Sequence, residues 1–573
     1  MKGSFSSKKS SFSISRWILG ANFSLFLTIG VIAQVVIAGL DIVFLALISP
    51  FVLSIGGDSQ SDNFEVLGIV NLDSTQIFSA IIFTVVLKNI CGLTLQHRIL
   101  MASARREAEV GTALVKASMF QRIDVMKANH SSDLLQTFGT VVGALFSNLF
   151  RPLIAFAGDI STMIAVVLGL LIINTQVALL AMGYFAIFGL IIIRHVGKRQ
   201  QRIGTDSLAL GHQTLRTFTE IRLMSTEFRL AHKADEALTM MNAQRLAYTR
   251  LQATSTFINA MPRYILELLL VFGIGALVPF LTHFQSTKPV LPTLALLVAA
   301  GYRILPSLNL VIIGIGNFRN AIPMLNRIHG LAERFEIWES PLNFDNNKSI
   351  KKSVDFRGSL VFDQVTYRYF NAEKAVFKGF NFNLPDKQTM LIIGPSGSGK
   401  TTLIGLAAGT LIPQDGEIYI SFHGQSHPMD SSISGISYLS QDVPLLDESF
   451  AYNIALCDPN DFDFERLREA ARNAGILERI IDSPLGFETQ VGENGSMLSA
   501  GERQRLGIAR SLYSNPGLLI LDEPTANLDE ASEKIIWEMI ARLRGQLSIL
   551  LVSHKLVPGD VYDGILSLGP DRE

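Results

Sequence analysis

Apolar residues dominate long stretches of the first 320 positions and short ones thereafter, and this change of period divides the chain. Six apolar segments stand in the first part, at about 18–53, 77–100, 141–173, 177–193, 257–281 and 290–318. Each reaches the roughly 20 residues that a helix needs to cross a bilayer. The pattern predicts an all-α transmembrane domain of six helices over 1–335. Polarity rises through 333–352, including Asp345-Asn346-Asn347-Lys348, which reads as a linker over 336–355. Beyond it, runs such as Met390-Leu391-Ile392-Ile393 and Leu518-Leu519-Ile520-Leu521 are the length of buried strands. An α/β domain over 356–573 is therefore predicted.

Basic residues orient the spans. Arg98, Arg105, Arg106, Lys116, Arg122 and Lys127 follow the second segment, and Arg194, Lys198, Arg199, Arg202, Arg216, Arg222 and Arg229 follow the fourth. Both connections are expected on the cytoplasmic side. The connection after the first segment carries Asp58, Asp62, Glu65 and Asp73 and no lysine or arginine, so it is expected outside. An even number of spans returns the chain to the cytoplasm. The cytoplasmic connections read as helical extensions, with Met119–Met126 and Leu215–Glu227 as candidate contacts to the α/β domain, against a solvated hairpin as the plain alternative. Residues 64–73 set apolar Phe64, Val66, Leu67, Ile69, Val70 and Leu72 among acidic residues and suggest either a short surface helix or ordinary packing. Lys2, Lys8, Lys9 and Arg16 precede an apolar run longer than a signal-peptide core, so that run is expected to remain as an anchor.

Composition agrees with a membrane protein: 48% of residues are apolar, 17% are charged and the mean hydropathy is +0.33. A net charge of -1 gives no electrostatic reason to expect a nucleic-acid partner. Cys91 and Cys457 lie far apart and imply neither a disulfide framework nor a metal cluster.

The candidate chemistry begins at Gly394-Pro395-Ser396-Gly397-Ser398-Gly399-Lys400-Thr401-Thr402, directly after the strand Met390–Ile393. The form G-x-x-x-x-G-K-[ST] wraps backbone N–H groups around phosphate at a helix start. Lys400 is expected to reach the β and γ phosphates and Thr401 to coordinate Mg²⁺. Tyr369, about thirty residues earlier, can stack on a purine or simply pack. Leu518–Leu521 end in Asp522 and Glu523, which suit the Mg²⁺ shell and the polarisation of an attacking water.

Together with Leu498-Ser499-Ala500-Gly501-Glu502-Arg503-Gln504-Arg505-Leu506, these motifs resemble the ATP-binding cassette family. The resemblance extends to Gln441, Asp529 and His554. It implies that Mg²⁺ is held by Thr401, Gln441 and Asp522, that Glu523, His554 and Lys400 serve hydrolysis, and that Ser499 to Glu502 bind the γ phosphate held by a second cassette. A homodimer or a paralogous partner is thereby implied. Ala500 and Glu502 replace the family's usual glycine and glutamine, and the extra carboxylate calls for a partner, with Arg503 or Arg505 expected. Thr489-Gln490-Val491-Gly492-Glu493-Asn494-Gly495 and the fused spans are similar to half-transporter exporters, which implies alternating access in a bacterial inner membrane.

Within the spans, Asp41, Lys88, Arg151, Asp159, Arg263, Glu267 and Arg303 are ionisable and therefore need pairing or a function. Arg263 and Glu267 are spaced to pair on one helix face. Lys88, Arg263 and Arg303 fall near mid-membrane and can either pair structurally or meet an anion such as a pyrophosphate. Phe218–Leu223, Met261–Leu269 and Tyr302–Asn309 resemble the lipid-linked oligosaccharide flippases, and that likeness implies a polyprenyl-pyrophosphate glycan as substrate for Lys88, Arg263 and Arg303. An exporter of another peptide, lipid or drug, and a non-transporting ATP-gated regulator, stand as alternatives.

Overall fold

The computed structural model describes residues 6–55, 63–66, 70–119, 131–173, 175–284, 290–334, 354–369, 372, 374–429, 433–526, 528–554 and 557–569. Two compact units divide the chain, with the main boundary between Asn343 and Phe344.

The N-terminal unit is built on long helices. Ser6–Ile55, Ser74–Met119, Thr175–Leu223, Ala234–Phe284 and Val290–Arg334 are accompanied by a composite stretch in which wide turns at Thr137–Val141 and Phe146–Phe150 lead into Arg151–Ile173. All six expected apolar segments fall within these stretches. Among the described residues, five are long and apolar enough to cross a membrane: Asn22–Leu40, Thr75–Met119, Leu134–Leu168, Ala234–Gly273 and Ile304–Glu333. The remaining expected segment, 177–193, lies in Thr175–Leu223, where several side chains fall outside the described residues.

Large apolar side chains stand on the outer faces of these helices, with Leu93 70%, Phe272 69% and Val36 68% exposed, as a lipid-facing surface requires. Inside, Phe23, Phe146 and Phe150 meet at ring distances of 5.0–6.4 Å. Ionisable groups are paired both within and between helices. Arg106 donates to the Ile18 carbonyl at 2.8 Å beside the break at Gly20 and binds Glu109 at 2.7 Å, and Arg151 binds Glu107 at 2.6 Å.

One expectation changes here. Residues around 63–73 form an antiparallel hairpin, Asn63–Val66 with Val70–Asp73, rather than a surface helix. The reason is the period of two: Phe64 and Val66 alternate with Asn63 and Glu65, and Val70 and Leu72 with Asn71 and Asp73. Of the two candidate contact pieces, the first lies beyond Met119 outside the described residues. The second covers the end of Thr175–Leu223 and the short helix Ser225–Leu230, where Arg216 binds Glu220 at 2.7 Å on an exposed face.

The C-terminal unit is α/β. A five-stranded parallel sheet runs in the order Ile436–Leu439, Leu518–Asp522, Ser548–Val552, Thr389–Ile393, Gly564–Ser567. A four-stranded antiparallel sheet, Phe377–Leu384, Ser359–Tyr367, Asp415–Phe422 and Gln425–Pro428, accompanies it. Leu518 to Leu521 and Ile549 to Val552 are each 0% exposed, which explains their continuous apolar runs: a central parallel strand is covered on both faces. Because every strand of the parallel sheet points the same way, the loops after them gather at one edge, where ligands of such sheets bind.

Ile520 has no access to solvent and packs with Phe362, Leu403, Ile418 and Leu550. Ile520→Ala is expected to cost about 2–5 kcal/mol through lost burial and the cavity left behind. Chemical denaturation of the purified chain, read through its α/β transition, measures this loss.

Candidate functional site

At the carboxyl edge of the parallel sheet, the strand Thr389–Ile393 passes into the glycine-rich loop and the helix Lys400–Ala407. Gly399 sits at φ 93°, a conformation that side chains disfavour, and an added Cβ would lie 2.8 Å from Val376 Cγ1. Ser396, Gly397 and Thr401 are exposed, while Lys400 is only 8% exposed. Lys400 Nζ lies against the carbonyls of Gly394 at 2.8 Å and Pro395 at 3.1 Å, spanning the loop where phosphate oxygens would sit. Tyr369 is joined through its hydroxyl to Thr402 Oγ1 at 3.1 Å, which fixes the aromatic ring beside this helix.

The neighbouring strand ends bring the carboxylates alongside. Glu523 departs from the strand at φ 51°, an uncommon backbone for a non-glycine residue, and its N–H binds the Val552 carbonyl at 3.0 Å. Its two carboxylate oxygens are divided between two partners: Gln441 Nε2 donates to Oε2 at 3.1 Å, and His554 Nε2 stands 2.8 Å from Oε1. Thus the loops after three different strands converge on one carboxylate. Tyr438 donates to Asp522 Oδ2 at 3.2 Å. Burial, followed by the Asp522 charge, pushes the Tyr438 hydroxyl up to about 12, so it stays a donor at neutral pH.

Burial also raises the Asp522 carboxyl above its ordinary value, with Glu523 adding to the effect and Tyr438, Lys400 and His554 opposing it. A carboxylate whose charge is penalised in this way is one that a divalent cation stabilises. Gln441 uses its nitrogen on Glu523, which keeps its oxygen for a metal. Among the described residues no group of three or more His, Cys, Asp or Glu side chains gathers as a metal site. The donor set fits Mg²⁺ that arrives with phosphates and takes one carboxylate, a hydroxyl and an amide oxygen from the protein.

The signature residues form their own cluster. Ser499 caps the helix Ala500–Tyr513: its side chain accepts from the Glu502 N–H at 3.3 Å, and Glu502 Oε2 accepts from the Ser499 N–H at 2.8 Å. Ala500 is exposed, so its methyl meets no obstacle, whereas a Cβ at Gly501 would stand 2.7 Å from Ser532 Oγ. Asp529 caps the adjacent helix Glu530–Leu543, accepting from the Ser532 N–H at 3.1 Å, and hydrogen bonds from the Ser532 side chain and then its backbone lower the carboxyl below the usual range.

The expected partners of Glu502 are corrected. Arg479, from the short helix Leu477–Ile481, donates to Glu502 Oε1 at 2.8 Å. Arg503 instead binds the Leu498 carbonyl at 2.7 Å, and Arg505 Nε and Nη1 are buried without a hydrogen-bond partner among the described residues. The capping box turns the Glu502 side chain back toward Ser499, and Arg503, one position along the helix, does not face it.

Sequence reasoning also missed Asn453, which is 0% exposed. Its side chain binds the Leu446 N–H and the Leu446, Glu448 and Ser449 carbonyls, and Arg510 of the signature helix donates to its backbone carbonyl at 2.7 Å and to its side-chain oxygen at 3.1 Å. No spacing in the sequence signals that link.

In the N-terminal unit, Lys88 and Asp159 line one polar cavity of about 370 Å³ with Gln34, Thr162 and Ser307. Arg263 is not among its lining residues; it is exposed and binds Glu267 at 3.0 Å, the pairing its spacing predicts. The Arg303 and Asp41 side chains lie outside the described residues.

Comparison with known proteins agrees with this geometry. Residues 377–526 match the family model described as ABC transporter. The ATP-dependent lipid A-core flippase of Alkalilimnicola ehrlichii is 30% identical over 385 residues, which cover 66% of this chain and 62% of the relative. The protein of the same name from Bordetella pertussis is 36% identical over 213 residues, 37% of this chain and 34% of the relative. The chain thus spans less than two thirds of the length of these curated relatives. Among solved structures, a bacterial Atm1-family ABC exporter with ATP bound superposes with a TM-score of 0.73 at 19% identity, covering 96% of this chain and 94% of that one. Residues 377–526 thus match an ATPase domain of the ABC transporter kind, and the fold is similar to that of an Atm1-family ABC exporter.

Proposed function

We propose that this chain is an ATP-driven flippase for a phosphate-bearing glycolipid, acting as a pair of copies in a bacterial inner membrane with its ATPase units in the cytoplasm. The observation that carries the ATPase part is the Glu523 carboxylate held at both oxygens by Gln441 and His554, beside a buried lysine in a phosphate-binding loop. A carboxylate so fixed can take a proton from water as it attacks the γ phosphate. Lys400 neutralises the phosphate oxygens, and His554 holds Glu523 in register. Thr401, Asp522 and Gln441 would hold Mg²⁺, which supplies charge neutralisation on the β and γ oxygens when bound. Ala500 and Gly501, at the start of the signature helix capped by Ser499 and Glu502, offer N–H groups to the γ phosphate carried by the other copy.

The membrane part rests on the apolar outer faces of the long helices and on the flippases among the relatives. Within it, Lys88 in its polar cavity is the described cation best placed to meet an anionic headgroup, with Arg263 and Arg303 as the further proposed contacts. Asp159 in the same cavity limits how many negative charges that cavity holds. Two glycolipids fit this chemistry: a polyprenyl-pyrophosphate glycan, and a lipid A-core of the kind that the relatives' names carry.

Proteoliposomes loaded with either glycolipid test the reading. ATP-dependent exposure of one of them to an added surface reagent is expected, and Lys88→Ala is expected to slow it about tenfold. Transfer of short-chain phospholipids or drugs with both glycolipids left in place would instead identify a general amphiphile exporter, and ATP turnover without any transfer a regulator.

A further inference from the structure

The usual place of a neutral glutamine in the signature is filled here by Glu502, whose carboxylate stands at the helix start proposed to face a triphosphate. Two anions in that position repel. The carboxylate, 19% exposed, is bound on one oxygen by the Ser499 N–H and on the other by Arg479, whose side chain is 40% exposed. Arg479 is itself anchored, donating through Nη1 to Ser483 Oγ at 2.8 Å, while Ser483 Oγ donates to the Arg479 carbonyl at 2.9 Å. Its guanidinium is thus oriented by the turn that follows its own helix before it reaches Glu502.

We infer that Arg479 is a positioning residue for ATP: it neutralises Glu502 and locks the Ser499–Glu502 capping box, so that the signature N–H groups meet the γ phosphate without an opposing charge. This inference rests on the proposed ATP site. Burial acts to raise the Glu502 carboxyl, but the Ser499 bonds and Arg479 outweigh it and hold the group below its usual range, so Glu502 is charged at neutral pH and needs the guanidinium. The charge, rather than the packing of Arg479, is the operative feature, because most of the bond's partners are polar and the helix Leu477–Ile481 buries Ile480 instead.

The experiment uses the full chain in lipid nanodiscs and measures ATP turnover against Mg·ATP concentration. Arg479→Ala is expected to raise the apparent KM for ATP about tenfold with kcat changed by less than about threefold. The double variant Arg479→Ala with Glu502→Gln is expected to return KM to near the parent value, since glutamine keeps the capping box and removes the charge. Arg479→Lys is expected to fall between. A role in folding alone would not be rescued by removing a charge at another residue. An unmoved KM in Arg479→Ala, or no rescue in the double variant, overturns the inference while the parent's turnover leaves the ATPase reading standing. A parent chain without Mg·ATP turnover overturns both.

Discussion

Glu523→Gln is expected to lower ATP turnover by about 10²–10⁴-fold, the range supplied by a positioned general base. Glutamine matches the shape of the carboxylate but accepts no proton from water. The pocket around it is expected to persist, since Gln441 and His554 approach from loops that each follow their own strand of the sheet. ATP binding is therefore expected to stay within about threefold of the parent, a split that separates loss of chemistry from loss of the site. Phosphate release and the binding of a fluorescent nucleotide measure the two quantities. Turnover at the parent rate would remove Glu523 from its proposed role.

The second large effect is expected at Lys400. The residue is 8% exposed and its ammonium bridges two loop carbonyls, so the loop already presents a cation to incoming phosphate with little reorganisation. Hydrogen bonds to charged groups contribute about 1.5–3 kcal/mol, and Lys400→Ala is accordingly expected to weaken ATP binding by roughly 10–150-fold. In contrast with Glu523→Gln, this variant should lose binding and turnover together. Equilibrium nucleotide binding at matched ionic strength checks it, because phosphate contacts weaken with salt. Affinity unchanged within about twofold would mean that another cation carries the phosphate.

Much of this site was legible because its parts are local. The phosphate loop is nine consecutive residues, and Asp522 and Glu523 close a strand whose apolar run marks it as buried on both faces. The six long helical stretches were legible from length alone. Arg263 and Glu267 were legible because four residues bring side chains onto one helix face.

What escaped depends on contacts between elements. Arg479 stands 23 positions before Glu502 and on another helix, so no spacing announces it, and the nearer arginines were the natural but mistaken choice. The link from Asn453 to Arg510 spans 57 positions and is likewise silent in the sequence. Lys88 was visible as an ionisable residue in a span, but its sharing a cavity with Asp159 depends on how the helices pack. For the hairpin at Asn63–Val66 and Val70–Asp73, a surface helix and ordinary packing both fit the sequence, because apolar residues set among acidic ones also suit one face of a helix.

The central proposition is that ATP is held between the phosphate loop of one copy and the signature of another. It is tested most directly by a cross-link. Ser396→Cys and Ser499→Cys are placed together in a Glu523→Gln chain whose Cys91 and Cys457 are replaced by serine. The purified protein is then treated with a short thiol cross-linker with and without Mg·ATP. A covalent dimer of this chain that forms with ATP and fails to form without it is the expected result. Bonds confined to single chains, or a dimer whose yield ignores ATP, would contradict the account.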